Sequence, residues 1–376
     1  MIRVGVIGTG RWGLEHLTGY EQVEDVSIVA VCDVDPVASE RAAARYGAAR
    51  WYTDHREMLG RHEFDLVSVC TLPASHRDIT VEAFAAGANV LCEKPLAMNL
   101  AQAKEMAAAA ERAGKFLTVG YENRFSEPAQ YLRRFVADGG MGRPVYTRCW
   151  LYCEFPWWGH AYNIMSSLCG GGTVTSGGIH ALDLAMWVAG FPTPTTVSAT
   201  MAQTFPRKRR ASAPSADTVD IYDVEDLATA HIRFADGSWM TLESAAGGID
   251  ALDPRATSMN TTLGFMMAGE DATIEFAPLH VLVNDENGAI VDATPTDVAE
   301  WNIPRAMLAE IADVVAAVRE GRAPVVRSDQ ALVLEQIRDA IYRSARAGAE
   351  VSVAPIGDLA DIAVAAPPGL MPEGTV

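Results

Sequence analysis

The chain lacks an excess of positive charge, a bilayer-length apolar run, an internal repeat and a cysteine pattern suited to a metal. Each absence removes a class of function. Its 30 Lys and Arg stand against 48 Asp and Glu, a formal net charge of −18 at pH 7. Nucleic acid and anionic lipid repel a surface of that sign, so neither is expected as a partner. No stretch approaches the roughly 20 apolar residues that span a bilayer, and no basic segment followed by an apolar run opens the chain as a secretory leader would. The six cysteines (Cys32, Cys70, Cys92, Cys149, Cys153 and Cys169) are scattered. The first three lie in or beside apolar runs, where cysteine acts as a small buried hydrophobe. Cys149 and Cys153 form C-x-x-x-C without a matching His/Cys pair, so no metal site is expected. A reduced, cytoplasmic protein is the expectation.

What is present is enough chain for two domains, 376 residues of which 49% are hydrophobic. Strand-like and helix-like runs alternate through the first third. Strands are predicted at 2–7, 26–32, 65–71, 89–95 and 116–121, and helices at 11–22, 36–46, 76–87 and 99–114. Pro36 suits a first helical turn, Asn99 an N-cap, and Gly47, Gly87 and Gly114 suit helix ends. That alternation predicts a parallel sheet covered on both faces. After a helix at 127–137 the pattern changes to runs with one apolar face, from 143 to about 292, typical of antiparallel strands. Asp236-Gly237 and Asn287-Gly288 mark hairpins, and helices are predicted at 178–189, 304–320 and 328–347. The expected division is a dinucleotide-binding α/β domain over 1–121, an α+β domain over 122–365 and a loose tail over 366–376. The basic stretch 206–218 reads as an exposed loop, or as a face toward a neighbouring subunit or an anionic substrate.

The segment from Gly8 to Gly13, GTGRWG, fits G-x-G-x-x-G between a strand and a helix. Gly8 permits the tight turn, Gly10 lets a diphosphate approach the backbone, and Gly13 lets the helix pack closely on the strand. The anion would rest on N–H groups at the positive end of the helix, with Thr9, Arg11 and Trp12 in the same loop. Asp33 ends the next strand, where a ribose-binding acid is expected. Its carboxylate accepts from ribose hydroxyls and repels a 2′-phosphate. No Lys or Arg follows at once, so NAD is expected rather than NADP.

With this fingerprint, Glu93-Lys94-Pro95 directly after a strand, TLPASH at 71–76 and GGGTVTSGGIHALDLAMWVAG at 170–190, the chain resembles the glucose–fructose oxidoreductase / inositol dehydrogenase (Gfo/Idh/MocA) family over nearly its whole length. The resemblance implies a Rossmann domain joined to an α+β domain. The open, mostly antiparallel sheet of the second domain forms subunit contacts, so a homodimer or homotetramer is expected. It implies hydride transfer between a nicotinamide and a hydroxyl or carbonyl carbon of a sugar, aminosugar, glycoside or cyclitol. Lys94 is implied to lie by the reacting oxygen, where a cation stabilises a developing alkoxide. Thr71, Leu72, Pro73, His76, Glu93 and Pro95 are implied to line the cofactor, and His76 reads equally as a helix-start residue without a ligand.

The family's D-x-x-x-H-x-x-D falls on Ser176, His180 and Asp183, so the first acid is missing. The resemblance implies that His180 accepts the substrate proton, a task suited to imidazole. A spacing of three puts Asp183 on the same helical face, to orient His180 or to bind a hydroxyl. Without the first acid three routes stay open. Lys94 and His180 act alone, another acid such as Glu154 substitutes, or the chemistry departs from simple dehydrogenation. Asn123 and Arg124 resemble the family's segment beside the nicotinamide. Trp157, Trp158, His160 and Tyr162 suit a sugar's C–H face and hydroxyl rim, or equally core packing. Two further functions stay open here: a lyase or glycosidase using NAD for transient oxidation, and a non-enzymatic dinucleotide sensor.

Overall fold

The computed structural model describes residues 1–153, 165–203, 222–246 and 261–362. Glu154, Trp157, Trp158, His160, Tyr162, the basic stretch 206–218 and the tail 366–376 lie outside the described residues.

The first sheet follows from short runs that bury both faces. Strands β1 (Ile2–Ile7), β2 (Val26–Cys32), β3 (Arg50–Tyr52), β4 (Leu66–Val69), β5 (Asn89–Cys92) and β6 (Leu117–Val119) pair in parallel in the order β3-β2-β1-β4-β5-β6. The order reverses between β1 and β4, the switch point at which open α/β sheets bind ligands. Helices α1 (Arg11–Glu21), α2 (Pro36–Tyr46), α3 (His55–Arg61), α4 (Pro73–Ala85) and α5 (Leu100–Ala113) connect the strands. Their ends carry local chemistry. Asp35 and Asn99 cap α2 and α5 by accepting from Val37 N and Gln102 N, and Gly47 and Gly114 close them in the left-handed conformation. Helix α4 starts at Pro73, three residues before the predicted start, because a proline at the first turn loses no hydrogen bond. β3 and α3 were not predicted. β3 has three residues, too few to show a period, and its Trp51 points to solvent.

The second sheet has nine strands, β7 (Pro144–Cys153), β8 (Pro194–Ala202), β9 (Leu227–Phe234), β10 (Trp239–Ala246), β11 (Thr261–Gly269), β12 (Ala272–Glu275), β13 (His280–Asn284), β14 (Ile290–Asp292) and β15 (Val351–Ser352). Their order is β14-β13-β12-β11-β7-β10-β9-β8-β15. Every pairing is antiparallel except β7 with β10. Both predicted hairpins form, with Gly237 and Gly288 in the left-handed region. Alternation is clean on β9, where Ala228, Ala230, Ile232 and Phe234 are buried and Thr229 and Arg233 face solvent. The apolar helix α7 (Ile179–Ala189) follows a π-helical turn, Val174–Gly178, and helix α6 is Glu127–Ala137.

The chain divides into two compact units, but not at a single cut. The first comprises Met1–Gly120, Met307–Leu332 and the described residues from Ile356. The second comprises Tyr121–Ala306 and Val333–Pro355. Thus most of α8 (Ile303–Glu320) returns to the first unit, as does the start of α9 (Ser328–Ala347). Ile311, Val314 and Val315 join Val4, Leu17, Tyr20, Val31 and Leu91 in one core. Each such buried side chain contributes roughly 1.5–3 kcal/mol. Gly19 permits the approach of α8 to α1, since a Cβ there would lie 2.8 Å from Ile311 Cγ1.

The glycines before α7 serve close packing within the second unit. A Cβ on Gly171 would lie 1.9 Å from the Tyr342 hydroxyl, and one on Gly172 would lie 1.9 Å from the Glu225 carbonyl oxygen. Backbone cannot yield as a flexible side chain does. Gly172→Ala is therefore expected to lower unfolding stability by about 1–3 kcal/mol, measured as a lower urea midpoint. An unchanged midpoint would show that this contact does not constrain the fold.

Candidate active site

In the first unit β1 ends in a glycine cradle. Gly8 has φ +91°, and a Cβ there would lie 2.5 Å from the Cys70 carbonyl oxygen. A Cβ on Gly13 would lie 1.8 Å from the Gly8 carbonyl oxygen, so only glycine lets α1 start this close to β1. Gly10 is different. It caps α1 in an extended conformation, and a Cβ there would meet nothing within 4 Å. The first N–H groups of a helix have no intrahelical acceptor and lie at its positive pole. The open space beside Gly10 leaves room for a diphosphate at that pole. At the end of β2 the half-buried Asp33 carboxylate is held in place. Oδ2 accepts from Thr9 N at 2.7 Å and Thr9 Oγ1 at 3.1 Å, and Oδ1 accepts from Asp35 N at 3.0 Å. These residues fit a dinucleotide with a free ribose 2′-hydroxyl.

Two cations approach the half-buried ring of Trp12, with the Arg11 guanidinium 5.1 Å and Lys94 Nζ 5.9 Å from its centroid. Leu72 is exposed, Thr71 and Pro73 are half-buried, and Thr71 Oγ1 accepts from Ser75 Oγ at 2.8 Å. Pro95 is buried.

Two residues expected along the cofactor point into the fold instead. His76 is buried, with Nδ1 3.0 Å from the Pro95 carbonyl and Nε2 3.0 Å from the Thr71 carbonyl. Burial lowers its pKa, against the pull of those carbonyls. It ties the turn after β4 to the turn after β5. Glu93 is also buried. Its Oε1 is 3.1 Å from His16 Nε2 and its Oε2 accepts from Lys94 N at 3.1 Å. His16 Nδ1 is 3.1 Å from Ser68 Oγ, which is 2.7 Å from the Tyr20 hydroxyl. Burial would push the Glu93 carboxyl up. The His16 hydrogen bond and charge, with Lys94, outweigh burial and hold it below the usual range. Sequence reasoning missed His16. Its signal was a polar residue on the buried stripe of α1 with Gly13, Leu17 and Tyr20.

In the second unit His180 is half-buried on the first turn of α7. Two residues of the turn Glu122–Phe125 lie by its Nδ1, with Asn123 Nδ2 at 3.4 Å and Glu122 Oε1 at 3.7 Å. Asn123 Nδ2 donates to Glu122 Oε1 at 3.0 Å, and Trp301 Nε1 donates to Asn123 Oδ1 at 2.9 Å. The Ser176 hydroxyl donates to the Gly172 carbonyl within its own turn at 3.2 Å. Sequence reasoning missed both Glu122 and Trp301.

The expected placement of Asp183 and Arg124 is corrected. They are 1% and 0% exposed and bonded to each other, with Arg124 Nε 3.0 Å from Asp183 Oδ2. The guanidinium also lies over Tyr121, Trp187 and Phe191. Burial pushes the Asp183 carboxyl up, and Arg124 opposes it. The pair ties α7 to the turn 122–125. Glu225 anchors the π-helical turn, accepting from Gly172 N at 2.9 Å, Val174 N at 3.0 Å and the Tyr342 hydroxyl at 2.8 Å. Among the described residues no group of three or more His, Cys, Asp and Glu is placed to hold a metal, and no helix is long and apolar enough to cross a membrane.

Folded, the Glu93 carboxyl sits below its unfolded pKa. Its contribution to stability is therefore present above the unfolded value and lost as pH falls through the folded one. His16→Ala leaves that buried charge short of a partner, and burial then favours its protonated form. The expected cost is about 3–5 kcal/mol near neutral pH. The Tm gap to the parent protein is expected to narrow as pH falls through the carboxylate range. A gap that widens in acid would contradict the assignment.

The model of an oxidoreductase family with an NAD-binding Rossmann fold matches residues 2–121, and the GFO/IDH/MocA C-terminal domain matches residues 129–255. D-glucoside 3-dehydrogenase of Escherichia coli (strain K12) is 33% identical, covering 94% of this chain and 97% of that protein. D-apiose dehydrogenase of Paraburkholderia graminis is 27% identical, covering 93% and 88%. In fold the chain is similar to an NAD-binding oxidoreductase from Klebsiella pneumoniae, with TM-score 0.81 and 23% identity over 94% of this chain and 99% of that one. The glycine cradle, the open mixed sheet and these full-length matches together place the chain in the Gfo/Idh/MocA family of NAD-binding oxidoreductases.

Proposed function

We propose that the chain transfers hydride between NAD and a hydroxyl or carbonyl carbon of a sugar, aminosugar, glycoside or cyclitol. The observation that carries this reading is the cradle at Gly8, Gly10 and Gly13 with Asp33 beside it. It occurs in a chain that matches a glucoside dehydrogenase along 94% of its length. When bound, NAD supplies the hydride acceptor or donor at its nicotinamide ring.

The chain's own residues then bind, orient and move a proton. The N–H groups from Gly10 to Gly13 hold the diphosphate, with Thr9, Arg11 and Trp12 around it. Asp33 accepts from the ribose hydroxyls, and Thr71, Leu72 and Pro73 border the same face. Lys94 stabilises negative charge on the substrate oxygen, since an ammonium is worth most where alkoxide character develops. His180 takes the hydroxyl proton in oxidation and returns it in reduction. Asn123 and Ser176 serve the substrate side with His180. Glu93 and His76 position the loop that carries Lys94, and Arg124 and Asp183 position the helix that carries His180. Trp157, Trp158, His160 and Tyr162 are assigned to the substrate on sequence grounds alone. A homodimer or homotetramer is proposed through the sheet face bearing Trp239, Tyr146, Arg148 and Glu243, in a reduced cytoplasmic compartment.

The test is to follow reduced-nicotinamide absorbance while glycosides, sugars and cyclitols are screened with NAD. NADH is expected to form in step with oxidised product. Product without net NADH would replace this reading with a lyase or glycosidase using transient oxidation, and binding without turnover would replace it with a sensor. Lys94→Ala is expected to lower kcat by about 10²–10³-fold while leaving the Kd for NAD within a few-fold. Equal loss of both would make Lys94 a scaffold residue.

A further inference from the structure

We propose that Glu122 is the carboxylate that supports the charged form of His180, and that Asn123, locked by Trp301, supports its neutral form. The proposal rests on the reading of His180 as the proton carrier. It supplies from a different element the acid that Ser176 cannot provide.

The indole N–H of Trp301 is only a donor. Placed 2.9 Å from Asn123 Oδ1, it fixes which end of that amide is oxygen. The indole is itself held edge-on against Phe276, with ring centroids 5.7 Å apart, and Phe276 stacks on Phe265. The NH₂ of Asn123 must then face the other way. It donates to Glu122 Oε1 at 3.0 Å and presents its second hydrogen toward His180 Nδ1 at 3.4 Å. Glu122 and Asn123 are both buried, so neither exchanges partners freely with water.

Two opposed influences therefore meet at Nδ1. An amide N–H favours a bare Nδ1, and so the neutral tautomer with hydrogen on Nε2, which cannot take the substrate proton there. A carboxylate oxygen at 3.7 Å favours a protonated Nδ1 and hence the imidazolium. In oxidation the reacting ring is the tautomer that Glu122 favours, with hydrogen on Nδ1 and Nε2 bare. The substrate O–H bond breaks, its electron pair stays on oxygen, and the proton bonds to His180 Nε2. The Nδ1–H stays directed at Glu122, whose charge balances the ring. Reduction runs the same transfer backwards, from Nε2–H to the carbonyl oxygen. Glu122 acts through His180, which makes it a positioning residue.

Of the other charged groups on the elements packed against α7, three have ion-pair partners of their own, and Arg133 and Arg134 lie on α6. Arg124 bonds Asp183, Glu127 bonds Arg305, and Arg148 bonds Glu243. Arg133 lies near Gly190, beyond the far end of α7 from His180. Glu122 sets a carboxylate oxygen 3.7 Å from the ring.

The test is the pH dependence of kcat/KM for oxidation, whose acid limb reports the free enzyme's essential base. Glu122→Gln removes the anion and keeps the shape. Its acid limb is expected to move about 1 unit toward lower pH, with kcat reduced and KM little changed. Trp301→Phe frees the amide and keeps Glu122, so its limb is expected to move the opposite way, to higher pH. Opposite shifts are not what simple loosening of the fold produces. An unmoved limb in Glu122→Gln, or shifts of the same sign in both variants, would overturn the proposal. If Glu122→Gln does not fold, Trp301→Phe decides alone, an unmoved or lowered limb overturning it. His180→Asn separates the underlying reading. If it retains the parent's kcat and acid limb, His180 is not the proton carrier. If it loses both while Glu122→Gln keeps the parent's limb, His180 stands and Glu122 falls.

Discussion

Backbone approaching backbone is the constraint on which both halves of the chemistry depend. A Cβ on Gly13 would lie 1.8 Å from the Gly8 carbonyl oxygen, and one on Gly172 would lie 1.9 Å from that of Glu225. The first approach brings the positive end of α1 against the end of β1, where an anion is stabilised by N–H groups already in place. The second brings the π-helical turn before α7 against the chain at Glu225, whose carboxylate then satisfies two of its N–H groups. Glycine in these stretches makes room for neighbouring atoms, whereas at Gly10 it leaves room for a ligand.

Buried charge forms the second layer. Taking a carboxylate out of water is costly unless it is paired, and Glu93, Asp183, Glu225 and Glu122 each have partners within their own unit. Three of the four hold the frame. Glu93 holds the backbone N–H of Lys94, Asp183 fastens α7 through Arg124, and Glu225 fastens the turn before it. Glu122 differs in lying beside a half-buried imidazole. The family's motif leads one to look for that acid one helical turn before His180, at Ser176. The carboxylate of Glu122, on the turn after β6, lies 3.7 Å from His180 Nδ1.

How much of this was legible follows from the range of each interaction. Local signals were reliable. Asp35 and Asn99 cap their helices, Gly47 and Gly114 end them, Gly237 and Gly288 turn their hairpins, and strands buried on both faces read as unbroken apolar runs. The site residues were harder because a motif gives identity without direction. His76 and Glu93 sit where the family's cofactor loops sit, yet their side chains turn inward. Asp183 shares a helical face with His180 but is taken by Arg124, 59 residues earlier. The Trp301 bond to Asn123 spans 178 residues, and that of His16 to Glu93 spans 77. No local period encodes such pairs. The return of α8 to the first core was hidden for the same reason, since an amphipathic helix shows that it has a buried face but not which sheet covers it.

The central claim is that an anion-binding helix end with one carboxylate beside it selects NAD. The most direct measurement is calorimetric titration of the unaltered protein with NAD and with NADP under the same conditions. Asp33, fixed by Thr9 and Asp35, is expected to make NAD the tighter ligand by at least about 10-fold, or 1.4 kcal/mol. Equal binding, or tighter binding of NADP, would contradict the account.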